Sequence, residues 1–175
     1  MYTYKRWYCL KLKDYKKIIC WIPTIIVMVT IFRLSSEVAN VSDGTSGRVC
    51  SFVLSIFYKG YDSLSDSVQA DLIESIQFYI RKLAHFSIYA MLGICTHFGT
   101  LFYSSLKKYS RVCISLGISL LYAISDEVHQ LFVEGRSGQF RDVCIDFCGS
   151  IVGTVIFILC LKLILTIKKE RSKSI

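Results

Sequence analysis

Apolar residues run almost unbroken through four stretches of this chain: about Ile18 to Leu34 (IICWIPTIIVMVTIFRL), Leu83 to Phe102, Val112 to Val133 and Val143 to Ile167. Roughly 20 helical residues cross the roughly 30 Å hydrocarbon core of a bilayer. Lipid offers the backbone no hydrogen-bond partners, so such stretches are expected to be helical. The pattern therefore predicts an all-α integral membrane bundle of four transmembrane helices. The connection from residue 35 to 80 is too apolar for a plain loop. RVCSFVLSIF sets Val49, Phe52, Val53, Ile56 and Phe57 on a helix-like face, and SVQADLIESIQFYI does the same with Val68, Leu72, Ile76 and Ile80. Two short helices are expected here, either lying in the membrane interface or capping the bundle, the later one running into the second span.

Composition strengthens the membrane reading: 53% of the 175 residues are hydrophobic and the mean hydropathy is +0.48. One proline, ten glycines and no repeat or low-complexity tract leave a single membrane domain over residues 18–167, flanked by a basic leader (1–17) and a basic tail (168–175). The first span follows a basic leader as a secretory signal would. Its apolar middle is long and no A-x-A site follows, so it reads as a retained anchor.

The net charge of +8 becomes informative once it is mapped onto the connections. Lys5, Arg6, Lys11, Lys13, Lys16 and Lys17 precede span one, Lys107, Lys108 and Arg111 separate spans two and three, and Lys168, Lys169, Arg171 and Lys173 follow span four. The remaining connections are rich in acids. The positive-inside rule then places both termini in the cytoplasm and the acidic connections outside. The lipid bilayer is the first partner; no motif supports a nucleic-acid partner, and the oligomeric state is not legible. The eight cysteines include Cys20, Cys95, Cys113, Cys148 and Cys160 inside apolar runs, where a thiol acts as a small hydrophobe, and no pair has C-x-x-C zinc spacing.

Against this apolar background, SDEVHQLFVEGRSGQFRDVCIDF (125–147) is conspicuously charged. In span two Arg81, His85, Tyr89 and Gly93 follow at i, i+4 steps, with Lys82 beside them. Asp126 and Gln130 share a face near the outer end of span three, Glu127 lies within a turn of both, and His129 turns toward the interface. In span four Asp142, Asp146, Gly149 and Gly153 form another stripe, and Gly149 with Gly153 has the GxxxG spacing that lets helices approach closely. Ionised groups in a membrane helix are costly and turn inward to partners. The expectation is an outward-facing polar cavity of Lys82, His85, Tyr89, Asp126, Glu127, Gln130, Arg136, Asp142 and Asp146, with helix packing at Gly93, Gly149 and Gly153. The bland alternative is an ion-pair network that only holds helices together.

Histidine with carboxylates suits general acid and base chemistry, and His85, Asp126 and Glu127 are the candidates for it. The same groups offer ligands to a divalent cation, although no defining spacing such as H-E-x-x-H supports one, so no cofactor is expected. Transport is disfavoured by the lack of paired broken helices or an inverted repeat.

FRLSSE after span one, RKLAHFSIYAMLG, DEVHQLFVEGRSGQFRD and DVCIDFCGSIVG together resemble the VanZ-like family of small bacterial membrane proteins, over about residues 18 to 160. Asp146 stands where many members carry asparagine. The resemblance implies a four-helix membrane protein of the cell envelope without a settled activity, the founding member being associated with resistance to the glycopeptide teicoplanin. The expected function is engagement of an envelope lipid or glycopeptide-related ligand in the polar cavity. A membrane enzyme acting on a lipid-linked phosphate and a structural or partner-binding protein are the alternatives.

Overall fold

The computed structural model describes residues 15–172, and the described residues form helices and turns with no strand. The first helix, α1, spans Ile22–Ser35; with a preceding turn at residues 20–21 it forms an apolar rod from Tyr15 to Ser35. Pro23 falls in its first turn, where the missing N–H costs nothing. Helix α2 is Ala39–Phe57, α3 Asp66–Thr100, α4 Lys108–Gln130 and α5 Phe140–Arg171. The leader up to residue 14 and Lys173 lie outside the described residues.

The expected pair of short helices in the first long connection is organised differently. RVCSFVLSIF belongs to a 19-residue helix that begins at Ala39. SVQADLIESIQFYI belongs to the N-terminal part of the 35-residue α3, which is roughly 52 Å long at 1.5 Å per residue. Phe52, Ile56 and Phe57 on α2 stay exposed, the pattern of a helix resting against an apolar phase.

Side-chain placement is inverted relative to a water-soluble protein. Ile25, Ile26, Val29, Leu121, Leu159 and Leu163 point outward, whereas Ser35, Thr96, Ser115, Ser119, Ser150 and Thr154 are buried between helices. An exposed apolar surface of this extent needs lipid around it, and small hydroxyl residues let membrane helices meet closely. Three described helices are long and apolar enough to cross a membrane: Tyr15–Ser35, Lys108–Gln130 and Phe140–Arg171.

The predicted second span, within α3, is not among the three, and the reason is its position. Tyr89, Leu92, Gly93, Cys95, Thr96, His97, Gly99 and Thr100 are all buried, because α3 packs against every other helix and most extensively against α5. A helix wrapped in protein needs few lipid-facing residues, so its hydropathy falls. The seam with α5 is backbone on backbone. A Cβ at Gly93 would overlap the carbonyl of Ser150, one at Gly149 that of Phe86, and one at Gly153 that of Ala90. Across the seam Ser150 Oγ donates to Tyr89 O (3.0 Å) and Thr154 Oγ1 to Gly93 O (3.2 Å).

These contacts give the bundle two unlike ends. Cys20 and Trp21 meet Gly99 and Tyr103 at one end, where Lys108, Arg111, Lys162 and Lys169 line a groove between α3, α4 and α5. The acidic stripes gather at the other.

Candidate functional site

Four elements deliver the polar residues to the acidic end. The last turn of α4 carries Asp126, Glu127 and Gln130, all buried. Asp126 Oδ2 accepts from Ser35 Oγ at the end of α1 (2.9 Å) and from Gln130 Nε2 (3.3 Å). Glu127 Oε1 takes the same Gln130 amide at 3.1 Å. Its other oxygen, Oε2, accepts from the backbone N–H of Gln139 (2.8 Å), at the start of α5, so a carboxylate of one helix satisfies an otherwise orphaned donor of the next.

The loop between α4 and α5 is shaped for that contact. Gly135 has φ of 75°, a left-handed conformation that glycine adopts without steric cost. At Gly138 a Cβ would crowd the carbonyl of Glu127. Arg136 folds back from this loop, donating to the carbonyls of Glu37 (3.1 Å, from Nε) and Leu34 (3.4 Å). The loop is thereby tied to the end of α1.

Helix α5 contributes Asp142 in its first turn and Asp146 one turn on, both buried. Lys82 Nζ of α3 donates to Asp142 Oδ2 at 2.5 Å, and Arg141 Nε lies 3.9 Å from Asp142 Oδ1. Lys82 and Arg141 also sit over the ring of Phe78, at 5.4 and 5.0 Å from its centre. His85 Nδ1 is 3.9 Å from Asp146 Oδ1, and His85, Asp126 and Asp146 each offer a ligand atom within 4.8 Å of the others. One turn deeper, the Tyr89 hydroxyl is buried without a hydrogen-bond partner.

Two cavities adjoin here. One of about 270 Å³ is polar, with Arg81, Lys82, His85, Arg136, Arg141 and Asp146 among its walls. The second, of about 220 Å³, runs between α1, α2 and α3 past Ile31, Leu34, Val49, Ile80 and Ile88. Arg81, His85 and Arg136 line both. Arg81 pairs with Asp43 on α2, which Gln77 also reaches through the Asp43 carbonyl (3.0 Å).

The structure thus brings Lys82, His85, Gln130, Arg136, Asp142 and Asp146 to one cavity wall, with Asp126 and Glu127 bound immediately behind Gln130. Gly93, Gly149 and Gly153 lie in the α3–α5 seam instead. His129, expected to face the interface, is half-buried. It stacks on Phe32 with ring centres 4.6 Å apart and meets Ser36 Oγ at 3.0 Å, because α1 covers that side of α4. Sequence reasoning assigned no role to Ser35, Gly138 or the Gln139 N–H. All three lie in stretches that carry the family resemblance, Ser35 in FRLSSE and Gly138 and Gln139 in DEVHQLFVEGRSGQFRD, but none stood out there by its own chemistry.

Of the cysteines, Cys20, Cys50 and Cys95 are buried free thiols, and Cys113, Cys144, Cys148 and Cys160 are exposed free thiols. No curated protein and no solved structure matches the chain. The profile of VanZ/LLP1 matches residues 20–162, which take in the whole of both cavities, and this membrane protein belongs to that family.

Proposed function

We propose that the chain is a four-span protein of the bacterial cytoplasmic membrane, with both termini inside, that engages an anionic amphiphile of the cell envelope at its outer end. The ligand's charged head would occupy the polar cavity and its chain the groove beside it. The observation that carries this reading is the joining of an arginine-rich polar cavity to an apolar one through shared walls of Arg81, His85 and Arg136. Guanidinium groups suit phosphate and carboxylate heads, and burial of an acyl chain contributes about 0.8 kcal/mol per methylene.

The orientation is supported by the gathering of Lys108, Arg111, Lys162 and Lys169 at the opposite end. The fourth span would be the inner half of α3, enclosed by its neighbours. Tolerance of glycopeptides such as teicoplanin, implied by the family resemblance, would follow from altered handling of an envelope lipid.

In nanodiscs of mixed composition, the wild-type protein is expected to retain anionic lipid through native mass spectrometry. The double variant Arg81→Gln/Arg136→Gln should retain about tenfold less, as expected for losing about 1.4 kcal/mol. Equal retention by a variant that is folded and equally abundant would refute the reading.

A second reading, acid and base chemistry on a lipid-linked phosphate, draws on the exposure of His85 to the polar cavity beside Asp146. It requires turnover of such a lipid that His85→Gln abolishes without loss of lipid retention.

A further inference from the structure

The carboxylates at and just behind the floor of the polar cavity differ in how they are satisfied. Asp126, Glu127, Asp142 and Asp146 meet there, and Lys82 is bonded to Asp142. Arg136 donates to backbone carbonyls, Arg81 pairs with Asp43, and Arg141 is an exposed rim residue. Asp126 and Glu127 accept hydrogen bonds from neutral donors. Asp146 accepts none: the residue is 1% exposed and both carboxylate oxygens lack a partner. The facing His85 Nδ1 is likewise buried without one. A buried carboxylate in a membrane helix is expected to be paired or to hold a metal.

We propose that His85, Asp126 and Asp146 form a binding site for one divalent first-row transition cation. One imidazole nitrogen and two carboxylate oxygens suit Mn²⁺ or Zn²⁺, whereas Ca²⁺ and Mg²⁺ favour oxygen ligands throughout. The ligand atoms lie within 4.8 Å of one another, wider than the about 3–3.5 Å expected around a metal at about 2 Å. Closing on an ion would take a rotation of His85, the one of the three side chains with appreciable exposure, at 22%. Ser35 and Gln130 hold Asp126 in place, the supporting role that hydrogen-bond donors play around metal ligands. His85 and Asp146 also line the open cavity, which gives the ion an entry path and leaves coordination positions for water or an anionic head. The site goes beyond lipid engagement and does not require it.

The test uses the full chain in detergent micelles, stripped with EDTA and titrated with Mn²⁺ under electron paramagnetic resonance and with Zn²⁺ by calorimetry. One equivalent of at least one of the two ions is expected to bind and to raise the melting temperature by several degrees. Asp146→Asn and His85→Gln should each weaken binding at least tenfold, while Glu74→Gln, on the exposed outer half of α3, leaves it unchanged. Absence of stoichiometric binding of either ion, or binding that survives both site variants, would overturn the site. His85→Gln supplies the decisive arm should Asp146→Asn fail to fold. Lipid retention is scored separately, so failure of the metal site leaves the lipid reading standing.

Discussion

Gly153→Val is expected to leave little folded protein in the membrane. The new side chain would overlap the carbonyl of Ala90, and neither helix can give way. Gly93 and Gly149 hold the same seam at equally close range, against the backbones of Ser150 and Phe86. Overpacking typically costs 1–3 kcal/mol when side chains can adjust. Here the obstacle is helix backbone, so a loss of about 3 kcal/mol or more is expected. Thermal unfolding in micelles and membrane abundance both report it. Gly117→Val is the control: a Cβ there meets nothing within 4 Å, and this variant should behave as wild type. Equal melting of the two variants would mean that the α3–α5 seam is not as close as described.

Lys82→Met is expected to destabilise the acidic end by about 2–3 kcal/mol. Removing one partner of a buried ion pair leaves the other charge uncompensated, a loss of 3–5 kcal/mol when both are fully buried. Lys82 is 25% exposed and Asp142 11%, so the effect is scaled down. The converse change, Asp142→Asn, should cost less, because the lysine can reach water along its flexible stem. The double variant Lys82→Met/Asp142→Asn should recover most of the stability lost in Lys82→Met alone. Chemical or thermal unfolding of the four proteins closes the cycle. Strict additivity would show that the two side chains do not interact.

Part of this arrangement was legible in the sequence. The i, i+4 stripes of Arg81, His85 and Tyr89 and of Asp142 and Asp146 follow from helical periodicity alone, and the GxxxG spacing of Gly149 and Gly153 foretells a close approach. What escaped depends on neighbours. Hydropathy reports what faces lipid, and α3, whose Thr96, His97 and Thr100 are buried among other helices, is less apolar than the three helices long and apolar enough to cross a membrane. Periodicity marked two apolar faces in the long connection and the later one's continuation into α3, but not the 19-residue extent of α2. Glu127 is satisfied by a backbone N–H of Gln139, a donor every residue type but proline carries and no side-chain pattern reveals. The bond from Ser35 to Asp126 joins residues 91 positions apart, and the place of Ser35 in FRLSSE carries no hint of that partner. The stacking of His129 on Phe32 of α1 was not foreseeable from α4 alone.

The joined cavities are tested most directly by a phospholipid carrying a photoreactive diazirine in its acyl chain, cross-linked to the protein in nanodiscs and mapped by peptide mass spectrometry. Labelling is expected to concentrate on Ile31, Val49, Ile80 and Ile88 in the groove, above that on the outward-facing Ile156 and Leu159, and to fade in Arg81→Gln/Arg136→Gln. Labelling that simply follows exposure along the outer faces of the helices, unchanged by the arginine substitutions, would contradict a lipid-engaging site.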